Sequence, residues 1–229
     1  SSWCPVPWGQ ISVHNSGEYR SCIQARSCKK TKGILRDESG TIMRADTHNI
    51  DDVRNSPLLK DVRKSMLGGV QHEMCVRCNR EDKADVPSRR RNAIIEYYDK
   101  YNYDYWKAVS HCHEDGQLML HESDVLEYDI RLGNLCNLRC KMCHPSESTQ
   151  WYDEWFDTMF KGFKSDFTHV EMTKEKNKVK LKNDIYSWYE DSKFYDQMFD
   201  NSKNLRKMYL SGGEPTLVEN MYDLLQKFI

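Results

Sequence analysis

Residues 125–143, Val-Leu-Glu-Tyr-Asp-Ile-Arg-Leu-Gly-Asn-Leu-Cys-Asn-Leu-Arg-Cys-Lys-Met-Cys, decide the fold. Leu126, Tyr128 and Ile130 share one face at a period of two, which predicts a strand over 125–131. Gly133-Asn134 then opens a loop containing Cys136, Cys140 and Cys143. Three thiolates on so short a loop can converge on one soft metal centre. A structural zinc would need a fourth protein ligand. His144 is poorly placed for that, because its neighbour Cys143 already binds. A four-iron cube would use three cysteines and leave one iron open, and open coordination marks a reactive site. The structural zinc loop stays as the alternative.

Downstream, Leu205 to Leu210 reads as another strand, ended by Ser211-Gly212-Gly213-Glu214-Pro215. A helix follows from near Thr216 to Ile229, apolar at Met221, Leu224, Leu225 and Phe228. Strand, crossover, strand and helix is the order of an α/β fold with parallel strands. Residues 146–204 are long for one crossover and read as an insertion near the site. Within them the pattern predicts an aromatic-rich helix from Trp151 to Phe163 and a solvated basic loop or helix end from Lys174 to Lys182. It also predicts a helix from Asp184 to Phe199.

Upstream, Gln10 to His14 alternates around Ile11 and Val13. Asn15-Ser16-Gly17 is a turn, and Glu18 to Ile23 returns, which predicts a hairpin. It brings Cys4 and Cys22 near each other. Arg26 to Asn49 reads as loop with short strands. Ser56 and Pro57 open a helix with Leu58, Leu59, Val62 and Met66 on one face, stopped by Gly68-Gly69. That helix can return the chain to deliver Cys75 and Cys78, so Cys4, Cys22, Cys75 and Cys78 form a second candidate metal site, with a zinc knuckle as the plain alternative. Residues 81–90, charged around Pro87, mark a boundary. A further helix runs from Arg91 through Ile94, Ile95, Tyr98, Tyr101 and Tyr105.

The 229 residues hold 34 basic and 35 acidic side chains, which argues against a nucleic-acid-coating protein. No apolar run is long enough to span a membrane, and no secretory signal is visible. The missing initiator Met points to processing or an incomplete N-terminus. Nine cysteines, an odd number at metal-ligand spacings, place the chain in a reducing, cytoplasmic setting.

Cys136-Asn137-Leu138-Arg139-Cys140-Lys141-Met142-Cys143 resembles the cluster motif of the radical S-adenosylmethionine (SAM) superfamily. The resemblance implies a 4Fe-4S cluster on Cys136, Cys140 and Cys143, whose open iron chelates the amino and carboxylate groups of SAM. It places Met142 near the adenine. Tyr209-Leu210-Ser211-Gly212-Gly213-Glu214-Pro215 resembles the family's glycine-glycine-glutamate motif, which implies that Gly212, Gly213 and Glu214 bind the SAM ammonium. The implied fold is a partial βα barrel with its site at the strands' C-terminal ends. Such barrels usually have six strand-helix units. Only two are visible here, so the expectation is a fragment or a barrel completed by another chain.

Cys4-Pro5-Val6-Pro7-Trp8, Asn15-Ser16-Gly17, Cys22 and Cys75-Val76-Arg77-Cys78 resemble the twitch/SPASM auxiliary-cluster domains that accompany some of these enzymes. The resemblance implies a second 4Fe-4S cluster on Cys4, Cys22, Cys75 and Cys78. The expected organisation is a small α+β auxiliary domain at 1–85, a helical linker at 86–122 and the start of the barrel at 123–229. In relatives the auxiliary domain usually follows the barrel, whereas here it comes first.

The implied activity is reductive cleavage of SAM to a 5′-deoxyadenosyl radical that abstracts hydrogen from substrate. The implied electron donor is a flavodoxin or ferredoxin, and family analogy favours a peptide substrate. The rival readings are a structural or RNA-binding zinc protein and a non-catalytic iron–sulfur fragment. Cys28 reads as a bystander thiol that is also able to replace Cys22. His111-Cys112-His113 cannot easily converge on one ion. Trp151, Trp155, Phe156, Phe160 and Phe163 read as core rather than a substrate platform. His144 either lines the SAM pocket or shapes the turn.

Overall fold

The computed structural model describes residues 2–158, 162–165 and 168–229. Its strands are β1 (Gln10–Val13), β2 (Tyr19–Arg20), β3 (Glu127–Leu132), β4 (Gly162–Ser165), β5 (Thr168–Glu175), β6 (Lys178–Leu181) and β7 (Lys207–Gly212). The helices are α1 (Val6–Gly9), α2 (Ile50–Arg54), α3 (Pro57–Leu67), α4 (Val76–Lys83) and α5 (Arg89–Tyr101). They continue with α6 (Tyr105–Ser110), α7 (Tyr152–Thr158), α8 (Ser192–Asp200) and α9 (Glu219–Gln226). No helix among the described residues is long and apolar enough to cross a membrane.

The chain is a mixed α/β protein. Its larger sheet has the order β2-β1-β3-β7, antiparallel at β1–β2 and parallel at β1–β3 and β3–β7. Ser12 stands opposite Asp129, and Asp129 opposite Tyr209. One face is apolar. Ile11, Val13, Tyr128, Ile130 and Leu132 pack there with Phe194 and Met198 of α8 and with Met221 and Leu224 of α9. The other face carries Gln10, Ser12, Glu127, Asp129, Lys207 and Tyr209. A second core joins Trp3, Val6 and Trp8 to Val62 and Met66 of α3 and to Ala93 and Tyr97 of α5.

The first hairpin therefore shares a sheet with β3, across the expected division between 1–85 and 123–229. The physical reason is that β1 and β3 each alternate, so pairing them side by side merges two apolar edges into one buried surface. Alternation identifies a strand's faces but not its partner.

Several predicted elements change. The Lys174–Lys182 run is neither loop nor helix end, because it forms most of the β5–β6 hairpin in a sheet of order β4-β5-β6. Val170 and Met172 ahead of the run and Val179 within it are buried, and Lys176 and Asn177 turn the hairpin at positive φ. The alternation was present in the sequence, masked by the charge. The helix expected over Asp184–Phe199 is broken into a 3-10 turn at Ser187–Glu190 and α8. Asp191 caps α8 by accepting the Lys193 N–H at 2.9 Å. α5 begins at Arg89 and stops at Tyr101, where Asn102 takes φ +50. Tyr105 belongs to the next helix. The aromatic helix is the shorter α7, preceded by a 3-10 turn at Thr149–Trp151, and Phe163 lies in β4. Phe160 lies outside the described residues. Ser56 stands at the N-cap of α3, but its side chain makes no cap bond.

The first turn is held by buried charge. Glu18 accepts from Arg20 Nη2 at 2.6 Å and from Ser16, and His14 Nδ1 lies 3.3 Å from it. Burial pushes the Glu18 carboxyl up, but His14 and Arg20 outweigh it and hold it at about 2. Its folded value lies below the ordinary 4.5, so its stabilisation is present above pH 4.5 and is lost as pH falls toward 2. Glu18→Gln should lower stability at neutral pH and flatten the pH dependence in that window. Denaturant midpoints across pH 2–6 test this, and a parent-like acid slope in the variant would contradict it.

Candidate metal centres

The parallel arrangement puts the loops after β3 and β7 at the same end of the sheet. The strand pairing runs on into those loops. The Gly213 N–H donates to the Gly133 carbonyl at 3.2 Å, and the Glu214 N–H to the Leu135 carbonyl at 2.7 Å. The Gly-Gly-Glu turn is thus tied to the backbone just ahead of Cys136. Gly212 adopts φ +140. At Gly213 an added Cβ would lie 2.2 Å from the Leu135 carbonyl oxygen, so no side chain fits there. The structure places this glycine at the close approach of its neighbour loop.

Within the cysteine loop, Cys136 is buried, Cys143 half-buried and Cys140 exposed. The Cys143 N–H donates to the Cys140 carbonyl at 3.0 Å. Trp151 Nε1 donates to the same carbonyl at 3.2 Å. Ser148 Oγ donates to Leu138 O at 2.6 Å, and Thr149 Oγ1 to Cys136 O at 3.2 Å. Burial raises the Cys143 thiol first, and Cys140, Glu147 and Cys136 add to the effect. A cation bound at such thiols would displace their protons.

Met142 is 91% exposed. The Thr216 hydroxyl and backbone N–H donate to Glu214 and hold its carboxyl below the usual range. Glu214 is therefore an anion that caps the short turn at Pro215–Leu217. His144 belongs to the turn. Its Nδ1 lies 3.1 Å from Glu147 Oε2 and within reach of Ser146.

Cys4, Cys22, Cys75 and Cys78 line one cavity. Cys4 precedes α1, Cys22 follows β2, and Cys75 and Cys78 open α4. Burial raises Cys4 strongly, with Cys22, Cys75 and Cys78 acting in the same direction. The cavity wall also includes Val6, Ala25, Val62, Met66 and Met74, together with Arg77, Arg89 and Arg90. Four soft sulfur donors in an apolar pocket fit an iron–sulfur cluster or zinc by donor chemistry. No group of three His, Cys, Asp or Glu side chains among the described residues closes on a single ion.

Cys28 is buried in the second core but does not line the cavity. His111-Cys112-His113 forms a turn. His111 packs edge-on against Tyr103, and the His113 N–H bonds the Gln117 carbonyl. Trp155 and Phe156 pack against Val170, Met172 and Val179. Lys174 pairs with Asp157 at 3.0 Å and Lys182 with Glu171 at 2.7 Å, so these lysines meet acids of their own insertion.

Sequence reading missed Asn15. Its Nδ2 donates to Gly133 O at 3.3 Å and Ser146 O at 3.1 Å, tying the first hairpin to both ends of the cysteine loop. In sequence it is an ordinary turn residue, with no signal for this role. Comparison with known proteins adds nothing to these geometries, since no family model, curated protein or solved structure matches the chain.

Proposed function

We propose that the chain is a radical SAM enzyme with a second, auxiliary iron–sulfur centre. The observation that carries this reading is the hydrogen-bonded junction between the Cys136–Cys143 loop and the Gly212-Gly213-Glu214 turn. The two motifs are some seventy residues apart in sequence and side by side in the fold. Cys136, Cys140 and Cys143 would hold one 4Fe-4S cluster, and Cys4, Cys22, Cys75 and Cys78 the other. When bound and reduced, the first would supply the one electron that reductive cleavage of SAM requires, the chemistry by which hydrogen would be taken from substrate.

The chain's own residues supply placement. Asn15, Ser148 and Thr149 fix the cysteine loop, so the exposed Cys140 thiol sits on a tethered backbone. Glu214 presents a carboxylate for an ammonium, kept charged by Thr216. Met142 offers apolar surface beside the loop for a purine. The electron donor on this reading is a flavodoxin or ferredoxin, and a peptide is the favoured substrate class.

Anaerobic reconstitution with iron and sulfide tests the reading. The expected product is brown, holds about eight irons in two clusters and releases 5′-deoxyadenosine from SAM after reduction with dithionite. A colourless chain holding one or two zinc ions would end the proposal. A brown chain that leaves SAM intact would reduce it to an iron–sulfur protein.

A further inference from the structure

Among the described residues, the wall of the four-cysteine cavity carries Arg77, Arg89 and Arg90 and no carboxylate. Positive groups beside thiols, with no acid between them, prepare the cavity for an anionic occupant. Arg77 is the least committed of the three, because its side chain is over half exposed and pairs with Glu81 at 2.8 Å. Arg90 is buried and locked to the helix that carries Cys78, donating to Asp82 at 3.0 Å and to Asn79 at 2.7 Å.

Arg89 differs from both. Ser88 fixes the start of α5 by accepting the Arg91 N–H at 3.1 Å. From that fixed start, Arg89 Nη2 donates to Gln10 Oε1 at 3.0 Å. Gln10 in turn donates to Glu127 at 2.8 Å. The guanidinium is thereby held between the cavity and the polar face of the main sheet. Its Nε is buried and makes no hydrogen bond among the described residues. A buried donor left without a partner is costly, and a guanidinium is well suited to a soft, delocalised anion.

Resting on the reading of this cavity as the auxiliary centre, we propose that Arg89, held in the cavity wall, is the positioning residue that sets that centre's charge balance and reduction potential. Four thiolates around an iron–sulfur cube leave a net negative charge, and reduction adds one more. A fixed cation therefore favours the reduced form and raises the potential.

The test uses the full chain with Cys136, Cys140 and Cys143 changed to Ser, so that only the auxiliary site loads. This parent is reconstituted anaerobically and titrated with dithionite against mediator dyes, with the one-electron couple followed by electron paramagnetic resonance. Arg89→Gln should shift the reduced-to-oxidised ratio about tenfold toward oxidised, which is about 59 mV more negative. Arg89→Lys keeps the charge and loses the fork, and should fall between that value and the parent. Arg77→Gln, which removes a solvent-screened charge, should move it least. A folded Arg89→Gln chain that loses its iron while Arg89→Lys retains it also supports the proposal. An unmoved potential in both Arg89 variants, or a shift in Arg77→Gln as large as in Arg89→Gln, overturns it while the auxiliary-centre reading stands. A parent that loads no iron at all removes the auxiliary-centre reading itself.

Discussion

On the proposed function, Cys140→Ser should take reductive SAM cleavage to background, a loss above the roughly 100-fold that disturbing a residue behind a metal ligand costs. It should leave the fold and the four-cysteine cavity in place. The choice of cysteine matters. The Cys140 thiol is exposed, and the structural bonds at this position run through its backbone carbonyl, which accepts from Trp151 Nε1 and the Cys143 N–H. Serine keeps that carbonyl and removes only the sulfur. Cys136 would give a less clean result, because it is buried and its sulfur accepts the Leu138 N–H at 3.4 Å. Iron in Cys140→Ser should fall by about half, since Cys4, Cys22, Cys75 and Cys78 are untouched, and the thermal midpoint of the apo chain should not move. Undiminished release of 5′-deoxyadenosine from this variant would show that the loop does not hold the reactive centre.

Much of this architecture was readable because it depends on local patterns. β3 and β7 announce themselves by alternation, α3 by Pro57 and its apolar face, and the hairpin by Asn15-Ser16-Gly17. The meeting of Cys4 with Cys22 follows from that hairpin. What could not be read depends on pairing across long separations. Nothing in Gln10–Val13 says that its neighbour is β3, more than a hundred residues away. Nor does anything in Asn15 say that it ties down a cysteine loop. The β5–β6 hairpin was hidden for a different reason. The charge of the lysine run dominated the pattern, although Val179 and Leu181 kept the period of two between Lys178, Lys180 and Lys182. Asp191 shows a third kind of gap. Its capping role breaks an apolar pattern that otherwise looks like one continuous helix.

Gly213 tests whether the two motif loops must touch. An added methyl group would stand 2.2 Å from the Leu135 carbonyl oxygen and 2.7 Å from the Asn134 and Leu135 carbonyl carbons. All three are backbone atoms, so relief requires the loops to separate. Separation strains or breaks the Gly213–Gly133 and Glu214–Leu135 hydrogen bonds. Overpacking costs about 1–3 kcal/mol, and each weakened hydrogen bond adds about 1 kcal/mol. Gly213→Ala should therefore lose about 3–5 kcal/mol of stability, read from the denaturant midpoint. On the proposed function it should suffer further in SAM binding, because a displacement of about 1 Å at a reacting site can cost about 100-fold. Gly68→Ala is the matched control. Its added Cβ would meet only the Lys64 and Ser65 carbonyl oxygens, at 3.5 and 3.7 Å, with an ordinary φ of −75. It should stay within about 1 kcal/mol of the parent. If Gly213→Ala proved as stable as Gly68→Ala and bound SAM as the parent does, the contact between the loops would be incidental, and the junction could no longer support the proposed site.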